Sequence, residues 1–271
     1  MGDAQVLLGT SSWTADGWVG RFYADHCKPQ NFLPRYAEHF NTVEIDSTFY
    51  RIPSARTAEQ WKERTPEGCI FAAKVPQIIT HEKVLADAED DLKTFLKVME
   101  ILGDKLGPLL LQSPYFNKQK FRDVGLFLER LEPFLKRLPK DHQWVVEVRN
   151  KNWLSAKLYT VRRRHGVALA LVDQAWMPRP PEVLETGDPI PASFTFSRWI
   201  GDRKGIEEQT KVWNRTIIDR TEDLRDWVEV IKGLTRRVKL IFALANNHYA
   251  GYAPETSELF RKLWSVGHAA T

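Results

Sequence analysis

Cysteine is scarce in this chain. Cys27 and Cys69 are its two thiols in 271 residues, too few and too far apart for a disulfide framework or a cysteine-based zinc site. An excess of one charge is also missing. Thirty-nine basic side chains face 35 acidic ones, a net charge of +4, so a polyanion is not the default partner. No uncharged apolar run of about 18 residues occurs, which argues against a membrane-spanning helix. The opening MGDAQVLLGTSSW has no basic leader and runs straight into a strand-like pattern. No signal peptide is therefore expected, and a reducing cytoplasm is the expected location.

Several chemical signatures are absent as well. Neither a GxGxxG nor a Walker pattern occurs, and the seven histidines show no HxH or HExxH spacing. GTSSW is not a nucleophile elbow. A bound dinucleotide, a clustered-histidine zinc site and a serine-hydrolase triad are thus unsupported, and no cofactor is expected. A magnesium site drawing on Glu44, Glu147 and Asp173 remains an alternative by donor type alone.

What the chain does have is a repeated unit: a short apolar run that ends on a charged or amide side chain. The runs are TVEID ending at Glu44 and Asp46, FAAK at Lys74, LLLQ at Gln112, VVEVR at Glu147 and Arg149, LALVD at Asp173, FTFSR at Arg198 and IFALANN at Asn246 and Asn247. Most intervals between them carry helix-period apolar residues. Leu92, Phe95, Leu96, Met99 and Leu102 form the clearest such stripe, with Gly103 expected as its C-cap. Parallel strands separated by helices close into a barrel and bring their C-terminal ends to one face. The expected fold is a single α/β domain over residues 1–271, a (β/α)8 TIM barrel.

Details of the intervals refine this reading. Pro133 is expected to break or kink the fourth helix. Ser155 is expected to cap the fifth helix and Gly166 to stop it. Residues 174–192 hold Pro178, Pro180, Pro181, Pro189 and Pro191, so the helix between strands six and seven is expected to be degenerate. The basic runs RRRH (162–165) and RRVK (236–239) fall at helix ends, where cations complement the macrodipole.

The motifs GTSSW, HFNTVEIDSTFYRIPS, FAAKVPQIITHEK, LGPLLLQ, VVEVRNKNWL and ALANNHYAGYAP resemble, in order and spacing, the successive signatures of the YecE-like family. The resemblance spans nearly the whole chain. It implies a TIM barrel in a bacterial or archaeal cytoplasmic protein and implies no reaction, because the family is a domain of unknown function. One departure falls in LLLQSPYF, where Ser113 replaces the proline or bulky apolar residue of the pattern. A looser similarity to the endonuclease IV and xylose isomerase group is analogy of fold alone.

Residues two apart on a strand share a face, so Glu147 pairs with Arg149 in direction and Glu44 with Asp46. Glu147 is the expected acid–base group, Glu44 its partner, and Lys74 an electrophile or Schiff-base lysine. The alternative for Glu44, Lys74 and Glu147 is a buried ion network that merely closes the barrel mouth. Arg149, Asp173, Gln112, Tyr50, Trp13 and His81 are expected to line the ligand site. Trp13, Tyr50, Tyr115 and Trp176 are among the rings that follow strand ends and suit stacking on a sugar or base. Arg198, with Arg203, Asn246, Asn247 and the helix opening near Pro254, is expected to hold an anion.

The expected activity is a metal-independent hydrolase, lyase or isomerase. Its ligand is a small polar or anionic compound, phosphorylated and sugar-like or nucleotide-like. A nucleic-acid-binding protein using the same mouth, or a sensor without turnover, are the alternatives. No membrane partner is expected, and no pattern fixes an oligomeric state.

Overall fold

The computed structural model describes residues 4–188, 190 and 193–269. Eight parallel strands close a barrel in chain order, the last pairing back with the first. They are β1 (Gln5–Thr10), β2 (Thr42–Ile45), β3 (Ile70–Lys74), β4 (Leu106–Gln112), β5 (Trp144–Glu147), β6 (Ala168–Gln174), β7 (Phe194–Gly201) and β8 (Leu240–Ala245). Around them run α1 (Phe32–Ala37), α2 (Ala55–Glu63), α3 (Glu89–Met99), α4 (Val124–Arg137), α5 (Ala156–His165), α6 (Pro180–Glu185), α7 (Arg203–Glu207), α8 (Thr221–Leu234), α9 (Asn247–Ala250) and α10 (Ala253–Ala269). The expected (β/α)8 fold is the observed one. Among the described residues between β6 and β7 there is one short helix, α6, opening on two prolines; Pro189 and Pro191 lie outside the described residues.

Alternation along each strand sorts its side chains between two cores. Outward-facing residues such as Val43, Phe71, Leu109 and Val146 join the large core shared with the helices. Inward-facing Leu7, Ala72, Leu110, Val145, Ala170, Phe196 and Phe242 fill the barrel. The rings of Phe194 and Phe196 lie 6.2 and 6.0 Å from that of Phe242, while β3 and β6 answer with the alanines 72, 168 and 170. Large residues on one side against small ones on the other fill the lumen at interior packing density.

Three local expectations differ in the structure. Gly103 does not cap α3, which ends at Met99 and runs on into a 3-10 stretch to Lys105; Gly103 takes φ 58° inside that stretch. Pro133 does not break α4, which continues to Arg137. It sits on the exposed face, where water can satisfy the carbonyl it leaves unpaired. Ser155 and Gly166 do flank α5, with Gly166 in the left-handed region at φ 67°. The Ser155 hydroxyl donates to the Trp153 carbonyl rather than capping the helix.

Gly9 fixes the closest approach of β1 and β2. A Cβ there would lie 1.9 Å from the Thr42 carbonyl oxygen and 2.9 Å from the Tyr36 hydroxyl. That hydroxyl ties the two strands, accepting from the Thr10 amide at 2.8 Å and donating to the Thr42 carbonyl at 3.0 Å. Gly9→Ala is therefore expected to force the strands apart and cost at least about 1–3 kcal/mol. Urea unfolding of the variant beside the wild type checks this; an unchanged midpoint would show that the strands can yield.

Candidate functional site

Above the apolar layers, the inward-facing positions at the C-terminal ends of the strands become polar. Glu44 of β2, Lys74 of β3, Gln112 of β4, Glu147 of β5 and Arg198 of β7 occupy the layer that continues the alternation of Ala72, Leu110, Val145 and Phe196. Arg198 is central. Its Nη1 donates to Glu147 Oε2 at 2.6 Å and its Nη2 to Glu44 Oε1 at 2.7 Å. Glu147 Oε1 lies 2.5 Å from Nη2 of Arg149, whose Nη1 donates to Gln174 Oε1. Glu44 and Glu147 have no solvent exposure, and Arg198 has 2%.

The two carboxylates are driven in opposite directions. Burial raises the pKa of Glu44, and the Asp46 charge adds to it; together they outweigh Arg198 and Lys74. Burial pulls Glu147 up too, but Arg149 and Arg198 overcome it and hold its carboxyl below the ordinary value. Arg198 is pushed the other way: burial lowers its pKa, yet Glu147 and Glu44 leave it well above the usual range. One buried arginine thus sits between a carboxylate whose pKa is lowered and one whose pKa is raised. Glu44 Oε2 is buried with no hydrogen-bond partner.

Lys74 stands on the other side of this group. Its ammonium donates to Asp46 Oδ1 at 2.8 Å and lies 4.3 Å from the centre of the Phe49 ring. Both partners come from the 3-10 turn Asp46–Phe49 directly after β2. That turn is held by the buried Thr48 hydroxyl, which bonds the carbonyls of Ile45 at 2.7 Å and Lys74 at 2.8 Å.

Not every expected residue joins the group. Asp173 Oδ2 accepts from Trp227 Nε1 and from the Tyr249 hydroxyl, each at 2.9 Å, so it ties β6 to α8 and α9. The anion site expected between loops seven and eight is not assembled by its four residues. Arg198 is spent on Glu44 and Glu147, and Arg203 pairs with Glu207 at 2.8 Å. The Asn246 amide oxygen caps α9 by accepting from the His248 amide. Asn247 Oδ1 accepts from Trp18 Nε1 at 3.3 Å and from the Ala253 amide at 2.9 Å, filling the N-terminus of α10. The magnesium alternative also comes apart, since Glu44 and Glu147 share Arg198 while Asp173 is held elsewhere. No cluster of three or more His, Cys, Asp or Glu side chains suited to a metal forms among the described residues.

The rings divide by burial. Phe116, Trp153, Trp199 and Tyr249 are buried and build the rim, whereas Tyr50, Tyr115 and Trp176 stand exposed. Trp13 packs edge-on against Trp61 of α2 at 5.6 Å. Tyr115 is presented by a rigid base. Asn150 bonds both the amide and the carbonyl of Phe116, at 3.0 and 2.8 Å, and Phe116 stacks on Trp153. Between Tyr115 and Trp176 opens a cavity of about 1030 Å³ that also reaches Arg149, Lys151, Asn152 and Met177. A smaller one of about 340 Å³ shares Trp176 and continues toward Arg203, Lys204 and Lys211. A third hollow, about 1090 Å³, lies between α4 and α5 on the outside of the barrel, remote from the strand ends and their charged groups.

Gln174, Lys151 and Asn152 escaped the sequence reading. Gln174 directly follows Asp173 at a strand end, so the same strand-end signal extends to it. Lys151 and Asn152 belong to a loop whose orientation depends on the Asn150–Phe116 bond, a contact 34 residues apart in sequence.

The family model described as "Protein of unknown function DUF72" matches residues 7–271. The UPF0759 protein YecE of Escherichia coli K12 is 29% identical over 151 residues, 55% of this chain and 50% of that protein, so the chain spans about half the length of that relative. The UPF0759 protein YunF of Bacillus subtilis 168 is 24% identical over 97% of this chain and 96% of its own. A crystal structure of a DUF72 family protein from Thermotoga maritima superposes with a TM-score of 0.74 at 27% identity, covering 96% of this chain and 99% of that one.

Proposed function

The chain belongs to the DUF72 protein family, and from its barrel mouth we propose that it takes a small, polar, anionic ring compound, sugar-like or nucleotide-like and phosphorylated. We propose further that it acts on this compound as a non-redox hydrolase, lyase or isomerase, without a metal, in the cytoplasm. One observation carries the reading: a buried chain of Glu44, Arg198, Glu147 and Arg149 lies directly beside an open cavity walled by Tyr115 and Trp176. A buried ion network generally stabilises a fold less than a well-packed apolar layer would. One placed at the strand ends of a barrel is where such folds keep their chemistry.

Within this reading the groups that reach the ligand are Arg149, Lys74 and Asp46. Glu147, ionised, holds Arg149 and Arg198 in place. Glu44 is the better store for a proton, because burial and the Asp46 charge raise its pKa while that of Glu147 is lowered; in this respect the two glutamates exchange the roles their sequence positions suggest. Lys74 serves as a positioned group for a developing oxyanion, its Nζ aimed by Asp46 and Phe49. An anionic group of the ligand meets Arg149 and Lys151, and a ring stacks on Tyr115 or Trp176.

The charges around the cavities favour a small ligand over a nucleic acid. Lys151, Arg203, Lys204 and Lys211 alternate there with Glu182, Asp202, Glu207 and Glu208, which breaks any continuous basic track along a phosphate backbone.

A thermal-shift screen of inorganic phosphate, sugar phosphates and nucleotides tests the reading, because a ligand of the native state raises its melting temperature. The expected result is a rise for one class that disappears in Arg149→Ala and in Trp176→Ala. Equal shifts in wild type and variants would move the ligand elsewhere. A hit recovered unchanged after long incubation would leave a sensor, and binding that collapses steeply with salt and favours oligonucleotides would give the nucleic-acid reading instead.

A further inference from the structure

Trp176 is a wall shared by two cavities. One, of about 1030 Å³, reaches Tyr115, Arg149 and Lys151; the other, of about 340 Å³, is lined by Asp202, Lys204 and Glu208. Both volumes are close to the range of about 300–1,000 Å³ that small-ligand pockets occupy. The indole is 48% exposed, so a large flat apolar surface is left open where the two cavities meet. An irregularity in the barrel ladder builds this wall. Asp173 of β6 pairs with Trp199 of β7, but Gln174 pairs with Gly201, so Ile200 is an extra residue in β7. Such a bulge re-aims the strand end that follows it.

Both segments beyond the bulge are held in place. The Gln174 carbonyl closes a tight turn by accepting from the Met177 amide at 2.9 Å, and Trp176 stands in that turn. The Gln174 side-chain oxygen also receives Arg149 Nη1, so one residue sets both the guanidinium and the turn that carries the indole. Gly201 takes φ 72°, and a Cβ there would lie 2.5 Å from the His248 carbonyl oxygen, which presses the end of β7 against α9. Asp202 and α7 follow at once, beside the Trp176 turn. The two cavities differ in charge. The larger sets Arg149 and Lys151 against Glu182 alone. In the smaller, Arg203, Lys204 and Lys211 are balanced by Asp202, Glu207 and Glu208. Glu207 is occupied by Arg203 at 2.8 Å and His248 at 3.1 Å. The side chains of Asp202, Lys204 and Glu208 have no hydrogen-bond or ion-pair partner among the described residues. A second anionic group would meet as much repulsion as attraction there. Free donors interspersed with free acceptors suit hydroxyl groups, each of which can do both.

We propose that Trp176 divides the mouth into two subsites and that the ligand is a two-part compound of the phosphorylated-disaccharide class. Its anionic unit lies at Arg149 and Lys151. Its second unit, uncharged and hydroxylated, lies beyond the indole among Asp202, Lys204 and Glu208. The assignment rests on the reading of the mouth as a small-anion site and extends it by one subsite. Because the turn and the start of α7 are fixed by backbone pairing, neither wall has to be ordered when the ligand arrives.

Calorimetry on matched pairs tests this: D-glucose 6-phosphate against trehalose 6-phosphate, and D-fructose 6-phosphate against sucrose 6-phosphate. Each disaccharide carries the phosphorylated ring of its partner plus one uncharged sugar. In at least one pair the disaccharide should bind about three- to tenfold tighter, the gain from one or two hydrogen bonds. The double variant Asp202→Ala, Lys204→Ala should remove that gain and leave the monosaccharide phosphate unchanged. Neither side chain has a partner in the fold, so the variant should melt like the wild type, and a melting curve verifies it. Trp176→Ala should weaken both members of the pair. D-fructose 1,6-bisphosphate should do no better than D-fructose 6-phosphate. Disaccharides no tighter than monosaccharides, a gain that survives the double substitution, or a preference for the bisphosphate would each overturn the two-part ligand. Monosaccharide phosphate binding that still depends on Arg149 would then leave the anionic-ligand reading standing, whereas loss of all binding would remove both.

Discussion

Arg198→Met is expected to destabilise the protein by about 3–5 kcal/mol, because it leaves buried carboxylates facing each other without their shared cation. Methionine fills much of the arginine stem, so the loss measures charge rather than a cavity. Both Glu44 and Glu147 lose a direct bond, 2.7 and 2.6 Å long in the native protein. The deficit should shrink in mild acid, since protonation removes the uncompensated charge. Denaturant unfolding of wild type and variant at neutral and acidic pH checks both points. A deficit that stays constant or grows on acidification would show that Arg198 acts by packing alone.

Exchanging each glutamate for glutamine should have unequal results. Glu147→Gln strips the anion from between Arg149 and Arg198 and should again cost about 3–5 kcal/mol. Glu44→Gln should cost less than Glu147→Gln, because burial and the Asp46 charge already raise the Glu44 pKa, so removing its charge gives up less. Linkage gives the same asymmetry in pH. Glu147 has a depressed folded pKa, so its contribution is present above the unfolded value near 4.5 and is lost as pH falls through the folded one. Glu44 has a raised folded pKa, so its contribution is full below 4.5 and is lost as pH rises through the folded value. Stability–pH curves of the two glutamine variants separate these signs. Equal losses at neutral pH would mean that the carboxylates share one charge state.

Much of the barrel was legible before any coordinates. Apolar runs in TVEID, FAAK, LLLQ and VVEVR mark strands because a parallel barrel strand buries both faces, and the 3.6-residue stripe from Leu92 to Met99 marks a helix packed on them. Pro133 and Gly103 depart from expectation for a common reason: tertiary context, not local preference, sets whether a proline faces solvent and where a helix hands over to a 3-10 turn.

The sequence by itself also determined which side chains would share the mouth. Strand alternation and the barrel rule place Glu44, Lys74, Gln112, Glu147 and Arg198 at one end of one lumen, and that inference needs only periodicity. Which charges meet there was decided by tertiary structure. Arg198 lies in β7, near the expected phosphate loops, yet its side chain turns into the lumen and bonds residues 51 and 154 positions away. Asp173 looks like a mouth carboxylate in sequence, yet Trp227 and Tyr249 claim it from outside the barrel wall. His81 is expected at the ligand site from sequence, and the turn after β3 sets its ring against Phe49, the ring that also carries Lys74. Periodicity is a property of neighbours along the chain, so it fixes faces and layers. Pairing between buried charges depends on distances across the lumen and on what else each group can bond, and those quantities exist only once the barrel has closed.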